Sequence, residues 1–189
     1  MSGWRVLPAA GFQAMPWRNG GGTTWEIARG VFPGSPEADW HWRLSLAEIT
    51  GDGPFSTFLG IDRLLTVVAG AGINLSIDGA GPRRLHVSED IEFPGEDRVD
   101  CTLVAGPTRD LNLMVDRRVA RLMPGRGKSV ITLGPGDIAV LYALEEVSLR
   151  NDDGRIVVAK GDAVIGEGAD EAAITAGRAI WARVERFAD

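Results

Sequence analysis

The stretch Met15-Pro16-Trp17-Arg18-Asn19-Gly20-Gly21-Gly22-Thr23-Thr24-Trp25-Glu26 combines a ring, a cation, an amide, a carboxylate and three consecutive glycines. Glycines tolerate positive φ and close approach, so amides around Gly21 could cradle an anion. A phosphate-binding loop needs Gly-Lys-Ser/Thr opening a helix, whereas here the glycines lead into an alternating segment. The competing reading is a tight bend at a barrel corner. Elsewhere, Arg43 and Arg63 could each clamp a carboxylate through the paired donors of a guanidinium. Asn19, Thr24, Ser45 and Asn112 offer neutral hydrogen-bonding groups, and Trp17 an apolar wall. Glu26, Asp62 and Asp110 could hold the arginines or accept an amino or imidazole proton. The alternative is that Glu26 with Arg43, and Asp62 or Asp110 with Arg63, are internal ion pairs that satisfy themselves.

Catalytic and metal chemistry find less support. The chain has two histidines, His41 and His86, too few for a three-histidine metal set. A mixed site would have to recruit Glu26, Asp62 or Asp110, and no metal or other cofactor is expected. His41 shares strand parity with Arg43 and reads as a cup-mouth or packing residue, while His86 beside Arg83-Arg84 reads as exposed. Cys101, the single cysteine, excludes an internal disulfide and reads as a small core residue. No Ser-His-Asp or Cys-His set emerges, so no catalytic residue is assigned.

Strand parity positions these groups. Thr24, Glu26 and Ala28 share one face, opposite Trp25 and Ile27. His41, Arg43, Ser45 and Ala47 oppose Trp42, Leu44 and Leu46; Asp110, Asn112 and Met114 oppose Leu111, Leu113 and Val115. The polar rows either face solvent or line a polar cup, with a second β-layer on the apolar rows. Small residues such as Ala28, Ser45 and Ala47 leave room in such a cup. Trp25, Trp42 and Trp181 read as core.

The composition agrees with strands. Gly 25 and Pro 10 among 189 residues suit many short strands joined by tight turns. Turn signals such as Asp78-Gly79, Pro94-Gly95 and Gly134-Pro135-Gly136-Asp137 separate Thr23–Arg29, Trp40–Ile49, Ile61–Val68, Ile73–Ile77, Val99–Val104, Leu111–Val115, Ile138–Leu144, Arg155–Ala159 and Ala179–Val184. The predicted class is all-β; a short helical turn near Glu145 or over Asp170–Ala173 is also compatible. Lys+Arg 20 against Asp+Glu 26 leaves a net charge of −6, which repels phosphate backbones, so no nucleic-acid partner is expected. No apolar run is long enough to span a bilayer, and no signal-peptide pattern opens the chain. The expectation is a cytoplasmic protein without a membrane partner.

The run Trp17 to Glu26 resembles the Trp-Lys/Arg-Asn-Gly-Gly-Gly-x-Thr-x-Glu signature of the HutD/Ves family. Trp42-Arg43-Leu44-Ser45-Leu46-Ala47 is similar to its second motif. Gly53-Pro54-Phe55-Ser56 with Gly60-Ile61-Asp62-Arg63 resembles the third, and Gly106 with Asp110-Leu111-Asn112-Leu113-Met114 the fourth. The resemblance implies a bicupin, two packed jelly-roll-like β-barrel units, in keeping with a composition shift near Gly125. The motifs fall in an N-terminal unit over 1–124; a smaller unit over 125–189 follows, with strands open to exchange. It also implies a role around histidine utilisation: a non-enzymatic protein sensing a small acidic metabolite of the urocanate or formylglutamate type. The alternative is a metal-independent isomerase or hydrolase with Glu26 or Asp110 as general base and Arg43 as anion stabiliser. Exposed β edges are compatible with a homodimer.

Overall fold

The computed structural model describes residues 3–17, 20–125 and 127–188. In chain order its strands are β1 (Trp4–Leu7), β2 (Gln13–Pro16), β3 (Gly22–Gly30), β4 (Trp42–Ile49), β5 (Gly53–Pro54), β6 (Ile61–Ala69) and β7 (Ile73–Ile77). They continue as β8 (Arg83–Leu85), β9 (Asp90–Pro94), β10 (Val99–Leu103), β11 (Thr108–Asp116), β12 (Ala120–Gly125) and β13 (Val130–Thr132). The last are β14 (Ile138–Ala143), β15 (Val147–Asn151), β16 (Gly154–Val158), β17 (Ala163–Glu167), β18 (Glu171–Ala176) and β19 (Ala179–Arg186). Each segment expected as a strand from its Val, Ile and Leu content is one. Among the described residues the helical content is a single 3-10 turn over Ala9–Gly11, and Glu171–Ala173, compatible with a helical turn, opens β18 instead. Strands such as β2, β8 and β13 escape sequence reading because three or four residues are too few to display a period of two.

The chain forms two compact units: Gln13–Gly30 with Trp40–Arg118, and Met1–Phe12, Val31–Asp39 and Val119–Asp189. The division thus differs from a cut at residue 125. β1 pairs along its length with β17, Trp4 opposite Gly166, so the start of the chain joins the unit built by its end. The Trp4 ring lies where a Cβ on Gly166 would stand, which makes that pairing depend on glycine.

In the motif-bearing unit a six-stranded antiparallel sheet, order β2-β3-β4-β11-β6-β9, accompanies a four-stranded sheet, β5-β10-β7-β8. Ile49, Leu65 and Val67 from the first pack with Ile73, Leu75, Leu85, Val99 and Cys101 from the second. Truncating a fully buried leucine such as Leu65 to alanine costs about 2–5 kcal/mol. The other unit repeats the plan with β1-β17-β14-β19-β12 and β13-β18-β15-β16. Its core runs through Leu141, Val164, Leu149 and Ile174. Among the described residues neither unit closes into a hydrogen-bonded barrel; each is a jelly-roll-like pair of open sheets. Among the described residues no helix is long and apolar enough to cross a membrane.

The apolar rows are buried as expected: Trp42, Leu44, Leu46, Leu111, Leu113 and Val115 lie on the face of the six-stranded sheet away from its own core. Trp25 and Trp181 are half-buried rather than core. Ala28 leaves the polar row. A bulge between Glu26 and Ala28 shifts the pairing so that Glu26 opposes Ser45 while Ala28 opposes Leu44, which turns Ala28 to the apolar side.

Candidate functional site

Register on the central strand β11 sets the site. Met114 pairs with Arg43 on β4 and with Arg63 on β6. Strand spacing therefore places the two arginine backbones about 10 Å apart on one face. One row inward Asn112 lies between Ser45 and Leu65, and the next row sets Asp110 between Ala47 and Val67. Thr24 on β3 opposes Ala47. The same face that carries the apolar core thus becomes polar towards one end. There it bounds a cavity of about 450 Å³, within the usual size for small-molecule sites.

The β2–β3 connection forms one wall. The Trp17 amide donates to Gly22 O at 2.9 Å, and its indole Nε1 donates to Thr24 Oγ1 at 2.8 Å, which fixes the ring at the cup. A Cβ on Gly22 would run into Glu48 O and the Trp17 ring, so glycine there permits the close approach. Gly20 adopts φ 71°, and its amide donates to Trp17 O. Gly21 lies outside the cup lining, and its carbonyl accepts from the amides of Thr50 and Gly51. The glycine run is therefore a tight, pinned turn that carries Trp17. Pro54, Phe55, Ser56 and Phe58 also line the cavity.

Electrostatics differ sharply between the two arginines. Arg43 Nε donates to Glu26 Oε2 at 2.7 Å, and Arg29 Nε stands 3.5 Å from Glu26 Oε1. The two Nη groups of Arg43 have no partner among the described residues, and the side chain lines the cup. Arg63 is 5 % exposed and has neutral hydrogen-bond partners: Nε donates to Asn112 Oδ1 at 3.4 Å and Nη1 to Ser56 O at 3.2 Å. Its guanidinium carbon lies 4.9 Å from the Phe93 ring centre, 5.4 Å from Phe55 and 5.6 Å from Phe58. Such cation–π contacts are worth about 0.5–2 kcal/mol each. Burial lowers the Arg63 pKa to about 10, opposed by Asp110 and reinforced by Arg43. Asp110 is 1 % exposed, and burial raises its carboxyl to about 7 against the opposing effects of Arg63 and a hydrogen bond from Asn112.

Of the expected site residues, Trp17, Thr24, Arg43, Ser45, Arg63, Asp110 and Asn112 line this cavity. Glu26 does not; it orients Arg43 from the side. Asn19, like Arg18, lies outside the described residues. Asp62 does not meet Arg63 but accepts from Arg117 Nε at 2.8 Å. Phe55, Phe58 and the Ser56 carbonyl, wall and cap of Arg63, escape the parity argument, although Gly53-Pro54-Phe55-Ser56 stands out as a motif. His41 is 2 % exposed, its backbone tied to Gly30 and Asp116, so it is a packing residue; His86 is exposed. Cys101 is buried in the core, where burial, followed by Asp110 and Asp52, raises its thiol pKa to about 12. No group of three or more His, Cys, Asp or Glu is placed to hold a metal among the described residues.

Arrangement and sequence point the same way in comparisons with known proteins. The chain is 38% identical over 151 residues to an uncharacterised 21.2 kDa protein in the hutC 3′ region of Pseudomonas putida, covering 79% of this chain and 78% of that one. It is 39% identical over 102 residues to Protein Ves of Citrobacter koseri, about half of each chain (53% and 52%). The structure of HutD from Pseudomonas fluorescens SBW25 superposes with a TM-score of 0.82 at 29% identity, covering 98% of this chain and 100% of that one. The HutD family model matches residues 9–182, nearly the whole chain including both units, and the protein belongs to the HutD family.

Proposed function

We propose that the cup binds a small carboxylate metabolite of the urocanate or formylglutamate type, and that the protein senses it within histidine utilisation rather than consuming it. The observation that carries this reading is the pair of guanidiniums on one cavity wall. Arg43 keeps both Nη groups available beside its bond to Glu26, and Arg63 is buried with neutral hydrogen-bond partners. An anion entering between them gains charge-assisted, two-pronged hydrogen bonds. A relative in a hutC region and a HutD-named structural neighbour support the metabolic setting. The test is calorimetric titration with urocanate and N-formylglutamate, followed by chromatography of the recovered ligand. Micromolar binding with unchanged ligand supports sensing; absence of binding to both acids contradicts it.

One observation favours the enzyme reading. A carboxyl raised to about 7 inside a cavity, as Asp110 is, has the proton affinity that suits a general base near neutral pH. Steady conversion of either acid that disappears in Asp110→Asn would establish this second reading over the first.

A further inference from the structure

The following inference rests on the acid-binding reading. Asp110 has one carboxylate oxygen, Oδ1, that is buried and without a hydrogen-bond partner among the described residues. Its neighbours across the sheet, Ala47 and Val67, bring no side-chain donor. Asn112 Oδ1 accepts from Arg63 Nε, and the Asn112 side chain lies near enough to Asp110 to lower its carboxyl pKa. From β10, Cys101 feels Asp110 but is a buried core thiol. A carboxylate oxygen left unsatisfied in the interior is costly, and native proteins keep few of them. Asp110 also lines the cavity, so the place from which a donor can reach it is the cup.

Charge narrows the donor. Glu26 pairs with Arg43, and Asp110 opposes Arg63. A ligand carboxylate adds a further negative charge close to Asp110. A plain acid would therefore suffer repulsion against the aspartate, whereas an acid that also carries a polarised or cationic N–H offsets it. We propose that the cup contains a second polar subsite in which Asp110 Oδ1 accepts an N–H from the same molecule whose carboxylate the arginines hold. The ligand class is then an acid bearing an N–H donor, such as an azole acid or an amino-acid derivative, and Asp110 is the residue that discriminates it from simple acids. Asn112 is a positioning residue beside Asp110, whose Oδ1 stays unpaired among the described residues.

The experiment compares urocanate with 3-(furan-3-yl)acrylate, which keeps the shape and carboxylate but replaces the ring N–H system by a ring oxygen. Calorimetric titration of the full chain at pH 7 is expected to show urocanate binding about 100-fold more tightly, because a buried acceptor is left unpaired by the furan acid. In Asp110→Leu, with Asp110→Asn as the conservative second variant, the preference should shrink at least tenfold while the furan acid binds no worse than to the parent. Equal affinities in the parent protein would overturn the subsite, leaving the acid reading intact and solvent as the partner of Oδ1. A preference that survives unchanged in a folded variant would overturn Asp110 as its source. Binding of neither acid would bring down the acid-binding reading and this inference with it.

Discussion

Arg43 donates its Nε to Glu26 at 2.7 Å while its side chain lines the cup, so one residue belongs to both an ion pair and a cavity wall. Glu26 thereby orients the arginine that a ligand would meet.

Three variants separate these roles. Arg43→Lys keeps the charge and loses the two-pronged geometry. Acid binding is expected to weaken by about 1.5–3 kcal/mol, the worth of a charge-assisted hydrogen bond, or roughly ten- to a hundredfold. Arg43→Met alone leaves Glu26 without this partner and should lower the melting temperature, whereas Arg43→Met with Glu26→Gln should recover most of it. Thermal melts of the three variants check this; no recovery in the double variant would mean that Arg43 stabilises through packing.

The glycine turn should be sensitive for two different reasons. At Gly20, with φ 71°, alanine costs about 1 kcal/mol from backbone strain. At Gly22 a Cβ meets Glu48 O and the Trp17 ring, so alanine should also displace Trp17 and weaken ligand binding. Melting temperature and intrinsic tryptophan fluorescence distinguish them: both variants lose stability, and only Gly22→Ala shifts the emission. Two variants indistinguishable from the parent would remove the turn from the cup.

Asp110 makes stability depend on pH in an uncommon direction. Its carboxyl titrates near 7 in the fold against an ordinary value of 3.8. The native state therefore holds more protons than the unfolded state between those values, and the stability contribution falls as pH rises from about 4 to about 7. Asp110→Asn, which mimics the neutral form, should melt several degrees above the parent at pH 8 and close to it at pH 4. The groups facing the carboxylate, Arg63 and Cys101, both titrate well above this window. A difference that is constant across pH would mean that Asp110 is ionised throughout.

Elemental analysis of the purified protein is expected to find no stoichiometric Zn, Fe, Mn or Ni. His41 is engaged in packing, His86 is exposed, and the cup presents arginines beside its one buried carboxylate. About one such ion per chain would contradict this.

Alternation of residue types makes much of the site legible in the sequence. Arg43, Ser45 and Ala47, and Asp110, Asn112 and Met114, sit on one face because a strand repeats every two residues, and the registers of β4 and β11 keep them there. Ala28 shows where that logic stops: a bulge inserts one residue without altering the pattern of types, and everything beyond it changes side. The cap of Arg63 is hidden for another reason. Phe55, Phe58 and Phe93 converge on it from a loop and from β9, and such non-local meetings leave no periodic trace. The division into units departs from residue 125 because composition reports what a segment is made of, while β1 joins its unit through pairing with a distant strand.

In the proposed function Arg43 and Arg63 together make the cup an acid-binding site. Titration of urocanate into the parent protein and into Arg43→Lys, at pH 7 and moderate salt, tests it most directly. Saturable binding at one site per chain is expected in the parent, with a roughly ten- to hundredfold loss in the folded variant. Equal affinity in the two proteins, with both melting normally, would contradict it.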